Sequence, residues 1–331
     1  MRLFAVLSAA CLAATACATG GPAASAGGGP AAYPDKGKSI RLLIPYGAGG
    51  GTDLAGRLLA SGLEKDLGAR VVVENDPSGS GQNAMRNLAA AKKDGYTLAF
   101  TPLPATNMMY LDKERGATFS GKDFEPIANH DTDPIAIGTS AKGPLKSLAQ
   151  LVSEAKAAPG KITAGSNGVL AAGHLGLLQL EQLTGIKITW TSFDDGGQLR
   201  TSVLGGSVNL EVQPVSELTA AKANGDMRIL AIMSDKRWPG LDDVPTVQES
   251  GFADSSLATN RVLVAPAGTS KAIIDKLSAS IKKSIGQPDY QAQAKKRLLQ
   301  LNYMDSAQVA ALWTQFDTTF APIAQQFRAS S

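Results

Sequence analysis

The chain has 331 residues, of which 44% are hydrophobic and 18% charged, and its formal net charge is +3. This composition excludes a wholly disordered or collagen-like protein, and so small a charge with no block of Lys and Arg gives no basis for nucleic-acid binding. Both cysteines, Cys11 and Cys17, lie near the amino terminus, so the body of the protein can hold neither a disulfide framework nor a thiolate metal site. The length suggests about two domains.

The amino terminus has the pattern of an export signal. Arg2 precedes an apolar run at residues 3–14, which is too short to span a membrane but suits the apolar part of a signal peptide. The run ends in the sequence ATAC, which resembles a bacterial lipoprotein signal with Cys17 as the acylated first residue. Ordinary cleavage after Ala16 is the alternative. We expect a signal peptide at 1–16, a lipid-anchored flexible linker rich in Gly, Ala and Pro at 17–38, and export to the periplasm or the outer face of a membrane.

From Ser39 onward, short β-rich runs alternate with helical patterns. The predicted strands are residues 40–45, 70–75, 96–101, 133–140, 162–165, 187–192, 207–213, 227–233 and 259–265. Leucines at helical spacing separate the first two strands, and further helices are predicted at 83–93, 147–158, 175–183 and 309–327. The alternation predicts an α/β protein built on parallel strands covered by helices.

The most informative loop is PYGAGGGTD, at residues 45–53, which connects the first strand to the first helix. Its four glycines allow close approach of the backbone to a ligand, and Thr52 or Asp53 can cap the helix. The free amides and the dipole at the helix start favour an anion such as a carboxylate or phosphate. A tight turn with a capping Asp53 is the alternative interpretation.

The motifs of the chain, taken in order, resemble those of the tripartite tricarboxylate transporter receptors, also called the Bordetella uptake gene family. The matching segments are PYGAGGGTD (45–53), VVVEN (71–75), DGYTL (94–98), DFEPIA (123–128), PGKI (159–162), LGG (204–206), DVPTVQESG (243–251) and APAGT (265–269). This resemblance covers nearly the whole chain after the linker.

The resemblance implies a two-lobed periplasmic-binding-protein clamshell, with each lobe a mostly parallel sheet flanked by helices. Lobe 1 would comprise residues 39–137 and 262–331, and lobe 2 residues 138–261. It also implies a monomeric solute-binding protein without a cofactor, which captures a small organic carboxylate mainly by main-chain N–H groups and delivers it to the membrane components of a transporter. The implied ligand-binding residues are Gly50, Gly51, Thr52, Asp53, Gln82 and Thr101 in lobe 1, and Ser166, Asn167, Gly168, Gly196 and Gly197 in lobe 2.

Two segments depart from the family pattern. Before the APAGT motif this chain has Asn260, Arg261 and Val262, where the family commonly has aromatic residues and a glycine; Arg261 could hold a second carboxylate, or it could be a solvated surface charge. Asp194 and Asp195 precede Gly196, and they would disfavour a highly anionic ligand if they faced the cleft. A loop cap is the other interpretation of these two aspartates.

The sequence gives weaker support for an enzyme than for a binding protein. His130 and His174 are not in a metal-spaced cluster or beside a nucleophile turn. The run GSGQNA at 79–84 has the form of a dinucleotide fingerprint but follows the second strand, and GATFSGKD at 116–123 imitates a phosphate loop with Asp123 in place of Ser or Thr. A secreted nucleotide-dependent enzyme and a sensor that reuses a binding lobe are the alternative functions.

Overall fold

The computed structural model describes residues 33–193, 196–253 and 256–329. The predicted signal peptide, Cys17, Asp194 and Asp195 lie outside these residues. The described strands are β1 (Ile40–Ile44), β2 (Val71–Asn75), β3 (Thr97–Leu103), β4 (Phe124–Ser140), β5 (Thr163–Asn167), β6 (Thr189–Phe193), β7 (Leu210–Pro214), β8 (Met227–Met233), β9 (Ala258–Pro266) and β10 (Leu301–Asp305). The described helices are α1 (Gly51–Leu67), α2 (Gln82–Ala89), α3 (Ala105–Leu111), α4 (Leu148–Ala157), α5 (Ala172–Thr184), α6 (Gly196–Leu204), α7 (Val215–Ala223), α8 (Lys271–Ile285), α9 (Pro288–Lys296) and α10 (Ser306–Ala329).

These strands form one continuous curled sheet with two halves that share β4. Half A contains β2, β1, β3, β9, the first part of β4 and β10, and half B contains β8, the end of β4, β7, β5 and β6. Strand β4 pairs with β9 up to Pro134 and with β7 and β8 from Ile135 onward, and the chain returns to half A at Ala258. The lobe boundaries at 137/138 and 261/262 stay a prediction.

Strand direction is more mixed than the alternating pattern indicated. The βαβ strands β1, β2 and β3 of half A are parallel, as are β5, β6 and β7 of half B. Strands β4, β9 and β10 instead pair antiparallel with their neighbours. The difference arises because β4 and β9 carry the chain between halves and return it, and such crossing strands need not follow a βαβ connection. The α/β fold is confirmed, with a mixed sheet.

The two faces of the sheet differ in how they join the halves. On one face a single buried apolar cluster runs from Met85 and Phe124 in half A to Leu151 and Leu177 in half B. On the other face the clusters are separate, one under α1, α8 and α9 and one under α6 and α7. The halves therefore share a core on one side and are divided by a cleft on the side of α1 and α7.

The packed body begins before the predicted end of the flexible linker. Tyr33 donates a hydrogen bond to the carbonyl of Gly95 at 2.7 Å, and its ring lies 5.4 Å from that of Tyr96. An aromatic side chain gains free energy by such burial, which the Gly and Ala residues before it cannot do. Within the described ranges, no helix combines the length and apolar character needed to cross a membrane.

Candidate functional site

The glycine loop leads into α1 as the sequence predicted, and it leaves amide donors unused. Residues 47–50 are exposed, Gly49 has φ +89°, and Gly50 is the N-cap residue without a side-chain cap. The first intrahelical bond runs from the Leu54 N–H to the Gly50 carbonyl at 3.0 Å. In the described part of the chain, the amides of Gly51, Thr52 and Asp53 have no acceptor. Three free N–H groups and the positive end of a 17-residue helix dipole therefore meet at this point.

Asp53 holds the glycine loop in place. One carboxylate oxygen accepts hydrogen bonds from the Gly49 N–H and from Arg57 Nε, both at 2.9 Å, and the other accepts one from Asn75 Nδ2 at 2.9 Å. Burial raises the pKa of Asp53, but the bonds from Arg57, Gly49 and Asn75 outweigh this effect and hold the pKa below its ordinary value. The side chain thus ties the loop to β2 and is not itself the cap of α1.

Arg261 lies at the centre of the cleft, buried in a cluster of charges. Its exposed fraction is 2%, so it is not a solvated surface residue. The guanidinium contacts Asp131 through Nη1 and lies 3.4 Å from Asp133 Oδ2 through Nη2. Burial alone would lower the pKa of Arg261, but these two carboxylates outweigh it and raise the pKa. The same Nη2 lies 2.9 Å from the position that a Cβ on Gly51 would occupy, so the cation flanks the start of α1.

Half B contributes an acidic side chain to the same place. Glu217, in the first turn of α7, brings Oε1 to within 3.3 Å of the Cβ position of Gly51. Ser216, next to it, donates to Asp133 through Oγ at 2.5 Å and through its N–H at 3.2 Å. Restricted hydration and the charge of Asp133 raise the pKa of Glu217. The start of α7 is therefore anchored to β4 and faces the start of α1 across the cleft.

A second set of polar groups lies at the carboxyl ends of β5 and β7. The Cβ position of Gly196, at the start of α6, is 3.6 Å from Asn167 Nδ2 and 3.9 Å from Gln213 Nε2. Gln213 is 4% exposed, and its Nε2 has no hydrogen-bond partner. Gly168 adopts φ +89° in the loop after β5, and Gly197 is exposed. Asn167, Gly196 and Gln213 thus form a donor-rich corner of half B.

Three of the residues expected to bind ligand have partners elsewhere in the fold. Thr101 is fully buried, and its Oγ1 lies 2.5 Å from that of Thr106. Strand β3 continues to Leu103, so Thr101 is not at the strand end. Ser166 accepts a hydrogen bond from Trp190 Nε1 at 3.1 Å, on the side of the sheet that α5 covers. Gln82, at the start of α2, donates to the Arg115 carbonyl at 3.2 Å.

Sequence reasoning missed Glu217, Gln213, Asp131, Asp133 and Arg115 as components of the cleft. Both aspartates stand in β4: Asp133 begins the predicted strand, whereas Asp131 lies in a stretch that was left unassigned because buried polar residues interrupt its apolar pattern. Arg115 donates to the carbonyl of Val169 and so connects the two halves. Acidic residues in alternate positions of a long strand were the available signal.

The rival motifs have structural explanations. A Cβ at Gly81 would lie 2.5 Å from the Pro45 carbonyl oxygen, and one at Gly121 would lie 2.6 Å from Trp313 Nε1, so both glycines are needed for packing. His130 lies between Asp131 and Tyr290, and His174 stacks on Trp190 at 3.8 Å. The described residues contain no group of three or more His, Cys, Asp or Glu arranged to hold a metal ion.

The chain is similar to proteins of one family in both sequence and structure. The model of the tripartite tricarboxylate transporter family receptor matches residues 55–326. A UPF0065 protein of Cupriavidus necator is 32% identical over 273 residues, which cover 82% of each chain. A TctC solute-binding protein from Polaromonas, solved without ligand, has a TM-score of 0.74 at 27% identity and covers 89% of this chain and 99% of its own.

A further structural neighbour shares the fold. A Rhodopseudomonas palustris protein solved with bound malate has a TM-score of 0.75 at 21% identity, and the match covers 88% of this chain and 100% of that one. The family and the Polaromonas protein are receptors and solute-binding proteins, which overturns the alternative of a nucleotide-dependent enzyme. With its motifs, fold and cleft in agreement, the chain belongs to the tripartite tricarboxylate transporter receptor family.

Proposed function

We propose that this receptor captures a small organic carboxylate in the cleft between its halves and delivers it to the membrane components of a tripartite tricarboxylate transporter. The observation that carries the proposal is the set of acceptor-free amides of Gly51, Thr52 and Asp53 at the start of α1. Such a helix start favours a small anion, and a carboxylate is one of the groups that it can hold. The malate bound by the Rhodopseudomonas protein of the same fold supports this choice.

The carboxylate would be held mainly by main-chain N–H groups. Each charge-assisted hydrogen bond contributes roughly 1.5–3 kcal/mol, so three or four of them, less the ordering cost of association, reach the roughly 8 kcal/mol of a micromolar complex. A delivery protein must also release its ligand, and micromolar affinity permits this. Asp53 serves the site indirectly, because its bond to the Gly49 N–H fixes the loop that presents the amides.

The location of the protein is part of the proposal. The amino-terminal pattern supports export to the periplasm, cleavage before Cys17 and acylation of that residue, with residues 17–32 as a tether and the receptor acting as a monomer. Mass spectrometry of the mature amino terminus tests this directly. A mass increase that corresponds to acyl chains on Cys17 is expected, and an unmodified thiol would refute the anchor.

The test of carboxylate binding is a thermal-melting panel of mono-, di- and tricarboxylates on the soluble body from Tyr33. A bound acid at 100 times its dissociation constant should stabilise the fold by about 2.7 kcal/mol, which appears as a rise in melting temperature. The variant Gly51→Val should lose this rise, since its side chain would occupy the space beside Arg261 and Glu217.

The matched control is Gly47→Val in the same loop, where a Cβ meets nothing within 4 Å. This variant should keep most of the rise. Circular dichroism and urea unfolding without ligand confirm that both variants are folded. Retained binding in Gly51→Val, or a wild-type protein that responds to no carboxylate, would refute the proposed site or the proposed function, respectively.

A further inference from the structure

The arginines around the cleft are already paired with carboxylates of their own half. Four arginines lie at the cleft. Arg57 is near the glycine loop, and Arg115 and Arg261 are near Tyr46. Arg200 donates a hydrogen bond to the main-chain carbonyl of Glu217 at 2.7 Å. The pairs are Arg57 with Asp53 at 2.9 Å, Arg115 with Asp112 at 3.2 Å, Arg200 with Glu211 at 2.5 Å, and Arg261 with Asp131 and Asp133. A guanidinium with its charge neutralised in this way has little attraction left for a ligand anion.

The acidic side of the cleft, in contrast, has a carboxylate without a partner. The side chain of Glu217 is exposed and makes no hydrogen bond or ion pair with any part of the chain that the structure describes. Its Oε1 is 3.3 Å from the Cβ position of Gly51, and so lies close to the amides proposed to hold the ligand carboxylate. A small ligand bound at those amides would bring its other end against Glu217.

The described residues of the cleft offer unused donors to a ligand carboxylate. They include the amides at the start of α1 and two side-chain atoms without partners, Arg261 Nε and Gln213 Nε2, on residues that are 2% and 4% exposed. Buried donors without an acceptor are costly unless a ligand completes them. These groups are suited to oxygen acceptors, whereas Glu217 is suited to a donor.

The local charge balance opposes a second anion. The guanidinium of Arg261 is surrounded by three carboxylates, those of Asp131, Asp133 and Glu217. His130 contacts the carboxylate oxygen of Asp131 that faces away from Arg261, at 2.7 Å. Burial of Asp133, which outweighs the charge of Arg261, raises its pKa, and the pKa of Glu217 is also raised. When ionised, three carboxylates around one guanidinium carry a net negative charge, which repels the second charge of a dianion and attracts a cationic group.

From these contacts we infer that the ligand is a zwitterion, with one carboxylate at the amides of α1 and a cationic group, such as a primary ammonium, against Glu217. This inference rests on the proposed function and narrows its ligand class. It departs from the expectation that Arg261 holds a second carboxylate, because Asp131 and Asp133 already occupy both terminal nitrogens of that side chain.

The test compares acids that differ only at the end remote from one carboxylate. Propionate, β-alanine and succinate form one such set, and valerate, 5-aminovalerate and adipate form a longer one. Affinities come from melting shifts and calorimetry with the soluble body. We expect an amino acid of at least one set to bind about tenfold or more tighter than the dicarboxylate of that set, since one charge-assisted hydrogen bond to Glu217 is worth at least this factor.

The variant Glu217→Gln separates the inference from the proposed function. It removes one exposed charge, so the fold should be retained, and the preference for the amino acid should fall to about twofold or less. Glu154→Gln, on the exposed helix α4 of the same half, is the matched control and should keep the preference. A dicarboxylate preference in the wild type, or an unchanged preference in Glu217→Gln, would overturn the zwitterion inference while the receptor function stands. A protein that responds to no acid of either set or of the wider carboxylate panel would contradict the function itself.

Discussion

Replacement of Asp53 by Asn tests whether a buried carboxylate organises the binding loop. Asp53 has a 3% exposed side chain and accepts three hydrogen bonds, of which the one from Arg57 carries charge. Asparagine has one acceptor oxygen and would direct an NH₂ group at Arg57 and Gly49 or at Asn75. Breaking a buried ion pair typically costs 3–5 kcal/mol, and because the Arg57 side chain is 51% exposed we expect the lower end, about 3 kcal/mol.

The assay is urea unfolding of wild type and Asp53→Asn at neutral pH, with ligand melting shifts measured in parallel. The control is Asp275→Asn, whose carboxylate pairs with Lys271 at 2.7 Å but is 58% exposed, so its loss should cost less than about 1 kcal/mol. The pKa of Asp53 is lowered in the folded state, so its contribution is present above the ordinary carboxyl pKa and is lost as pH falls through the lowered value. An Asp53→Asn protein within about 0.5 kcal/mol of wild type and with full ligand affinity would refute the reasoning.

Two further predictions concern the contacts of α10. Burial lowers the pKa of His174 to about 4, so the unfolded chain binds more protons than the folded one below pH 6.5. The free energy of unfolding should therefore fall by about 2 kcal/mol from pH 7 to pH 5. Urea unfolding at both pH values should show this fall, and His174→Gln should largely remove it. Arg328 pairs with the buried carboxylate of Asp112 at 2.7 Å, so Arg328→Ala should lower the free energy of unfolding by about 1–3 kcal/mol, whereas loss of the exposed Arg41 should cost less than about 1 kcal/mol. Equal effects of the two arginine variants would contradict the importance of the buried partner.

The sequence was sufficient to predict the elements in which local pattern and tertiary role agree. Strand β8 has the predicted bounds, and Ser147 caps α4 through its side chain, which accepts from the Gln150 N–H at 3.1 Å. The glycine loop was predicted to precede a helix with free amides, because four glycines and a following amphipathic pattern define that geometry locally. Such features depend on neighbours within a few residues.

The features that the sequence could not predict depend on distant partners. The part of β4 before Asp133 was left unassigned because Asn129, His130 and Asp131 interrupt the apolar pattern, yet all three are buried. His130, Asp131 and Asp133 can be buried because Tyr290, Arg261 and Ser216 complete their hydrogen bonds, and each partner lies 83 or more positions away in the chain. The pairing state of Arg261 was open for the same reason, since two carboxylates on another strand determine it.

The unequal faces of the sheet connect ligand class to motion. The halves share a core on the face of α5 and α10, so separation of the halves would open the opposite face, where Gly51 and Glu217 meet. A ligand held by the amides of α1 and by Glu217 of α7 would therefore bridge the two halves at the point where they can part. A zwitterion can serve as such a bridge because it offers a negative end to half A and a positive end to half B. A dianion bound at the same amides would instead repel Glu217 and favour the open form, so the charge of the ligand would determine whether the receptor closes.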